Sequence, residues 1–127
     1  MTQSDTVRQL LKIFETMNVS EAMKLFAEDA TYQFANYPPA AGLDQIRQAA
    51  ASSHMDFIKS ATFEVKSMIE PGGGVVICEM VITYLTKDER TIRLPCADFF
   101  RFDERGLIKE MKIFMDATPL FAKPAAV

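Results

Sequence analysis

"LPCADFFRFDERGLIKEMKIF", residues 94–114, decides the fold, because two alternating segments flank a polar turn. Alternate residues of a β-strand point to one face. The first segment, with Ile92 just before it, therefore puts six side chains on one face: Ile92, Leu94, Cys96, Asp98, Phe100 and Phe102. Gly106 ends the turn and can take the left-handed conformation that a short hairpin loop needs. The stretch predicts an antiparallel hairpin with a lone acid on an apolar face.

Two more strands are predicted before this hairpin. "ATFEVKSMIE" (61–70) is followed by a glycine turn, and "VVICEMVITYLT" (75–86) by the polar turn "KDER" (87–90). Together with the hairpin they form a meander of four consecutive antiparallel strands, ending in "LIKEMKIFMD" (107–116).

The N-terminal half is predicted to be mainly helical. Ser4 and Ser20 can cap two helices, and "ATYQFA" (30–35) alternates like a short strand. A third helix is predicted from an apolar stripe at helical spacing: Leu43, Ile46, Ala50, His54 and Phe57. Helices followed by a meander indicate an α+β domain with the helices on one sheet face. We expect one domain over residues 1–127, with 122–127 a frayed tail.

The composition is that of an ordinary globular protein: 127 residues, 49% hydrophobic, 24% charged, with a net charge of −3. Lys and Arg are scattered, which argues against nucleic acid as a partner. No signal peptide or membrane-length apolar run is visible, so we expect a cytoplasmic protein. Reduced thiols at Cys78 and Cys96 fit that compartment, although the sequence also permits a disulfide between them.

Asp98 is the principal candidate for a functional residue. An unpaired carboxylate is costly to bury, so the group is expected to have a raised pKa and to act as a proton or hydrogen-bond donor. The alternative is a structural acid whose oxygens are satisfied by backbone donors or by a tyrosine such as Tyr84. His54, the only histidine, could shuttle protons beside Asp98, or could simply bond to a carbonyl near the end of its helix.

The sequence resembles the nuclear transport factor 2-like superfamily, which includes ketosteroid isomerases, SnoaL-like polyketide cyclases and limonene-epoxide hydrolases. Two segments are similar, "LFAEDATYQF" (25–34) with its following "YPPAAG" and "ADFFRFDERGLIKEMKIF" (97–114), and the resemblance spans about residues 5–117. It implies a cone-shaped (cystatin-like) fold with the N-terminal helices on the concave face of a strongly curved, mainly antiparallel sheet. It also implies a ligand pocket, here with Tyr32 as a polar group and an apolar lining of Leu10, Phe14, Phe34, Phe57, Phe100, Met111 and Met115. Plain core packing is the alternative for these positions.

The resemblance does not extend to the whole active site of a ketosteroid isomerase. Asp98 matches the carboxylic acid that such enzymes keep neutral in their oxyanion hole. The positions of the catalytic base and the oxyanion-hole tyrosine are Phe34 and Leu10. The usual steroid-isomerase mechanism is therefore not expected.

The two other branches match less closely. Asp116 stands near the catalytic aspartate of SnoaL-like cyclases, although strict alternation puts it on the outer face with Glu110, and only a bulge would turn it inward. Epoxide hydrolases need an arginine between two acids in their pocket. Arg101 is three residues from Asp98 on the same strand and is therefore expected on the opposite face.

Two features bear on partners. The sequence contains no cluster at metal-ligand spacing, and neither a metal nor a cofactor is expected. The outer sheet face is predicted to carry mixed apolar and charged residues, which suggests a sheet-to-sheet homodimer: Pro95, Ala97, Phe99, Arg101, Ile108 and Phe114.

The sequence thus predicts a protein that binds a small hydrophobic molecule carrying a carbonyl or hydroxyl group. It could catalyse cofactor-free proton transfer, either isomerisation or cyclisation, with Asp98 as the acid or hydrogen-bond donor and with Tyr32 and His54 as candidates to position or shuttle protons. The alternatives are a non-catalytic ligand-binding module and a dimeric interaction domain with a vestigial pocket.

Overall fold

The computed structural model describes residues 2–52 and 57–121. Within these residues four helices and six strands follow one another, with a 3₁₀ turn at Met23–Leu25 after the second helix. Their bounds are α1 Gln3–Glu15, α2 Val19–Ala22, β1 Phe26–Phe34, β2 Ala40–Ala41, α3 Leu43–Ser52, β3 Ile58–Gly72, β4 Val75–Thr86, β5 Thr91–Phe102, β6 Ile108–Phe114 and α4 Thr118–Phe121. The predicted tail, 122–127, lies outside the described residues.

The first two helices begin two residues earlier than predicted. Thr2, and not Ser4, caps α1: its side chain accepts from the Asp5 backbone N–H at 3.1 Å, and Asp5 accepts from the Thr2 N–H at 3.0 Å. Asn18, and not Ser20, caps α2. Thr, Asn and Ser are all good N-caps, so apolar spacing alone could not choose among them.

The strands form one six-stranded sheet in the order β2-β1-β6-β5-β4-β3. The meander β3-β4-β5-β6 is antiparallel as predicted, and β1 adds to β6 in parallel. The hairpin that decides the fold therefore occupies the middle of the sheet. This is a mainly antiparallel α+β architecture, consistent with the predicted cone.

The helices cover one face of the sheet. The α1 helix contacts β3 and β4, and α3 contacts β1 and β2. Alternate residues of β5 are buried beneath them, as the period of two requires: Leu94, Cys96, Asp98, Phe100 and Phe102. The prediction that Asp98 lies on the core side of its strand is confirmed.

Ile108 is not on the outer face, and that part of the prediction is wrong. The β5–β6 register shifts between Arg101 and Phe102, so that Phe102 pairs with Ile108 while Arg101 pairs with Glu110. The bulge changes which alternate side chains of β6 face the core at the start of the strand. Ile108 is consequently fully buried, whereas Phe114 at the far end of β6 is 60% exposed.

Candidate functional site

A small cavity lies between α1 and the concave face of the sheet. Its volume is about 60 Å³, and most of the side chains around it are apolar. Five aromatic rings of the described residues contribute to its wall, from α1, β1, β3 and β4: Phe14, Tyr32, Phe34, Phe63 and Tyr84. Ligand pockets commonly measure about 300–1,000 Å³. A guest must therefore be small, or flexible wall residues such as Met17 and Met111 must move aside.

Asp98 provides the only carboxyl group among the described residues that line this cavity. It is 3% exposed, and no Lys or Arg is among those lining residues. The Cys96 thiol donates a hydrogen bond to Oδ1 of Asp98 at 3.2 Å. Burial raises the pKa of Asp98 to about 7, and the thiol hydrogen bond opposes that rise only in part. Asp98 can therefore gain or lose a proton near neutral pH.

Tyr32 brings a phenol into the same cavity. It pairs with Met111 across the β1–β6 ladder and is 4% exposed. Burial raises the pKa of Tyr32 far above its usual value, and the negative forms of Asp98 and Cys96 raise it further. The hydroxyl therefore stays protonated and can donate a hydrogen bond.

Tyr84 is a second phenol in the wall, and the sequence had suggested it only as a structural partner of Asp98. It lies on β4, where burial again raises its pKa, with smaller contributions from Cys96 and Asp98. Alternation along β4 could have identified it as inward-facing, because it shares the parity of the buried Ile82 and Met80. Its position at the same cavity as Asp98 depends on how β4 pairs with β5, which the sequence does not reveal.

Both cysteines are buried free thiols. Burial raises the pKa of Cys78 to about 11 and that of Cys96 still higher, and ionised Asp98 acts in the same direction. Because the thiolate is the nucleophile, neither residue is activated for nucleophilic attack.

The structure brings together only part of the predicted pocket. Phe14, Tyr32, Phe34, Met111 and Asp98 all line the cavity. Four predicted residues are not among the described lining residues: Leu10, Phe57, Phe100 and Met115.

The structure places each of these four elsewhere. Leu10 and Phe100 are fully buried in the core. Leu11, one residue further along α1, faces the cavity instead of Leu10. Phe57 packs edge-to-face on Phe121, with 5.3 Å between ring centroids, and Met115 borders a separate surface concavity.

Asp116 also lies at that concavity and away from Asp98. It follows the end of β6, is exposed, and accepts a hydrogen bond from the backbone N–H of Thr118 at 3.0 Å. The hydrogen bonds from Thr118 lower the pKa of Asp116. An exposed, ionised carboxylate that caps a turn is not placed to protonate a guest in the inner cavity. His54, the other candidate, lies outside the described residues.

The described parts of the chain contain no group of three or more His, Cys, Asp or Glu side chains that could hold a metal ion. None of the helices within 2–52 and 57–121 combines the length and apolar character needed to cross a bilayer.

The side chains around the cavity can stabilise a partial negative charge on an oxygen atom. Neutral Asp98, Tyr32 and Tyr84 all carry O–H groups in an apolar setting, where hydrogen bonds to a developing oxyanion are strong. No second carboxylate or histidine is among the described lining residues. The described wall therefore offers hydrogen-bond donors, and its one carboxyl group is that of Asp98.

A sequence model of the SnoaL-like domain family matches residues 7–111, which include most of α1, the first five strands and the first four residues of β6. The chain belongs to the SnoaL-like domain family. No curated protein sequence matches it.

Solved structures share the SnoaL-like fold at low sequence identity. A nuclear transport factor 2-like protein of unknown function from Burkholderia pseudomallei is 16% identical, with a TM-score of 0.82 over 95% of this chain and 96% of that one. A protein with a ketosteroid isomerase-like fold from Catenulispora acidiphila, in complex with trimethylamine, is 20% identical, with a TM-score of 0.81 over 97% and 100%. A candidate SnoaL-like polyketide cyclase from Shewanella denitrificans is 14% identical, with a TM-score of 0.79 over 91% of each chain. At these identities the similarity establishes the fold of this SnoaL-like protein.

Proposed function

We propose that this SnoaL-like protein binds a small hydrophobic molecule through a carbonyl or hydroxyl oxygen, with Asp98 as the hydrogen-bond donor. The observation that carries the proposal is a carboxyl group buried on an apolar wall, whose pKa of about 7 keeps much of it protonated near neutral pH. Tyr32 is the second donor, and it stays protonated over the same range.

The proposed reaction is cofactor-free proton transfer next to a carbonyl, as in isomerisation or cyclisation. Asp98 and Tyr32 would donate hydrogen bonds to the carbonyl oxygen while a base removes a proton from the adjacent carbon. Phe34 occupies the wall where isomerases of this superfamily keep that base. His54 is the base that the sequence offers, and a protein without a working base would be a non-catalytic binding module with the same pocket.

Binding and proton transfer can be tested separately. Binding of acetone, cyclopentanone and phenol is measured by NMR for the wild type, Asp98→Asn and the matched control Asp116→Asn. We expect Asp98→Asn to weaken binding about tenfold and Asp116→Asn to have no effect. Equal binding by all three proteins would contradict the role of Asp98.

Proton transfer is measured as deuterium exchange at the carbon next to the carbonyl of each ketone in D₂O. Exchange that depends on Asp98 supports an enzyme. Binding without exchange supports the non-catalytic module.

A small organic ammonium ion is a second candidate guest. The Catenulispora structure is a complex with trimethylamine. Here a carboxyl without a Lys or Arg in the described wall, several aromatic rings and a volume of about 60 Å³ would suit such a cation. An ammonium guest stabilises ionised Asp98 and lowers its pKa, whereas an oxyanion-like guest raises it. The sign of that shift distinguishes the two classes.

The outer sheet face supports a proposal of homodimerisation. Phe114 is 60% exposed there, and the Arg101 guanidinium lies 5.4 Å from the centroid of the Phe99 ring. A monomer would leave this apolar surface in water. If the small cavity proves closed to every guest, the dimer would be the functional unit, as an interaction domain with a vestigial pocket.

Two free thiols support the expectation of a reducing, cytoplasmic location.

A further inference from the structure

The contact between Cys96 and Asp98 links two side chains on the same face of β5. Because they are two residues apart on a strand, both point into the core, and they are 4% and 3% exposed. The thiol sulfur lies 3.2 Å from Oδ1 of Asp98 and donates to it. A thiol is a weak donor in water, but the low dielectric of an apolar core strengthens the hydrogen bond.

The Cys96 thiol does not ionise near neutral pH, so it remains a hydrogen-bond donor. Burial and the nearby carboxyl raise the pKa of Cys96 well above its usual value, so the S–H proton is retained. Among the described residues, the other titratable groups that interact electrostatically with the pair and titrate in a relevant range are Tyr32 on β1 and Cys78 and Tyr84 on β4, and they too stay protonated. Within the described residues the charge state of this cluster is therefore set by Asp98.

The two oxygens of a neutral carboxylic acid are not equivalent, because one accepts hydrogen bonds as a carbonyl and the other carries the proton. A donor held on Oδ1 favours the form in which Oδ1 is the carbonyl and Oδ2 is the hydroxyl. We propose that Cys96 is a positioning residue that reserves Oδ1 as an acceptor and so keeps the acidic proton of Asp98 on Oδ2. This inference rests on the proposed function, because the proton on Oδ2 is the one available to a guest in the cavity.

A purely structural cysteine would behave differently from a positioning one. As a small core residue it would affect folding but leave the Asp98 carboxyl unchanged when replaced by alanine. As a positioning donor it stabilises the ionised carboxylate, because the thiol bond is stronger to a charged acceptor. Its removal should therefore raise the pKa of Asp98 by about 0.5–1 unit, in line with the usual strength of one hydrogen bond.

The test is a carbon-13 NMR titration of the Asp98 carboxyl in the ligand-free wild type, Cys96→Ala, Cys96→Ser and the control Cys78→Ala. Cys78 is a matched control, because it is also a buried thiol and lies directly opposite Asp98 on β4. We expect the pKa of Asp98 to rise in Cys96→Ala, to fall below the wild-type value in Cys96→Ser, and to change little in Cys78→Ala. If Cys96→Ala fails to fold, Cys96→Ser decides alone, because a hydroxyl is a stronger donor and must lower the pKa.

An unchanged pKa in both Cys96 variants would overturn the proposal, whatever their stability. Equal shifts in Cys96→Ala and Cys78→Ala would also overturn it, because they would indicate a general loss of packing. The result is separable from the proposed function, since the titration needs no guest. If no ketone, phenol or trimethylammonium binds any variant while the Cys96 shifts are present, the proposed function fails and the positioning role stands.

Discussion

Cys78 lies directly opposite Asp98 in the β4–β5 ladder, and Ile113 lies opposite Asp98 on β6. The acid is therefore flanked by a neutral thiol and a hydrocarbon, and neither can compensate a negative charge. The folded protein consequently binds a proton at Asp98 more tightly than the unfolded chain does.

The first prediction concerns stability against pH. The pKa of Asp98 rises from an ordinary 3.8 to about 7 on folding. The stability contributed by protonated Asp98 is therefore complete below about pH 4 and is lost as the pH rises to about 7. In that window Asp98 should lower the free energy of unfolding by about 1.4 kcal/mol per pH unit.

Denaturant unfolding of the wild type and Asp98→Asn at several pH values measures this effect. We expect the free energy of unfolding of Asp98→Asn to increase relative to that of the wild type as the pH rises towards 7. Above about pH 7 the difference between the two proteins should stay constant. Asp29→Asn, at an exposed acid on β1, is the control and should follow the wild type. Parallel curves for Asp98→Asn and the wild type would mean that the carboxyl is ionised throughout.

The second prediction separates two neighbouring leucines of α1. Leu10 is fully buried and does not line the cavity, whereas Leu11 does. Leu10→Ala should cost about 3 kcal/mol of unfolding free energy and leave guest affinity unchanged. Leu11→Ala should cost less, about 2 kcal/mol, because its side chain already adjoins empty space, and it should admit larger guests. If both variants change guest size preference alike, the assignment of the cavity wall is wrong.

The third prediction concerns the attachment of α1 to the sheet edge. The Glu15 carboxylate at the end of α1 accepts a hydrogen bond from the backbone N–H of Phe63 on β3 at 2.8 Å. Phe63 lines the cavity, so this bond fixes one wall. Glu15→Ala should lower the free energy of unfolding by about 1 kcal/mol and speed amide exchange at Phe63. Glu15→Gln keeps an acceptor and should lower the free energy of unfolding by less. The control Glu104→Ala, at an exposed position, should leave it unchanged.

The fourth prediction tests the proposed dimer. Phe114→Glu places a charge on the exposed apolar patch and should weaken self-association at least tenfold, as measured by light scattering over a range of concentrations. Gln9→Glu adds the same charge on the exposed side of α1 and should leave association unchanged. A wild-type protein that remains monomeric at high concentration would contradict the proposed dimer.

The fold could be predicted from the sequence where the pattern was strictly periodic. The alternation around Asp98 gave the correct face of β5, and the turn at Gly106 gave the correct hairpin. Helix starts were missed by two residues because several good caps compete near each N-terminus. The burial of Ile108 could not be predicted, because a bulge inserts a residue without a clear sequence signal.

The site was predictable only in part, because a cavity depends on how elements pack. Leu10 and Leu11 are equally apolar, and only the rotation of α1 decides which one faces the cavity. The Cys96–Asp98 contact follows from alternation, but the thiol's orientation towards Oδ1 does not. That Tyr84 and Asp98 line the same cavity depends on the β4–β5 register, in which Tyr84 pairs with Ile92 and Cys78 pairs with Asp98.

The most direct test of the central claim is a carbon-13 NMR titration of the Asp98 carboxyl, assigned with Asp98→Asn, in the free protein and with phenol or trimethylammonium added. We expect a pKa near 7 in the free protein and a further rise with phenol, because a protonated donor would face its guest. A fall with trimethylammonium alone would favour the ammonium-binding alternative. A pKa near 3.8 that neither compound moves would contradict a protonated, guest-binding Asp98, because Asp98 would then be an ionised acid held by internal donors.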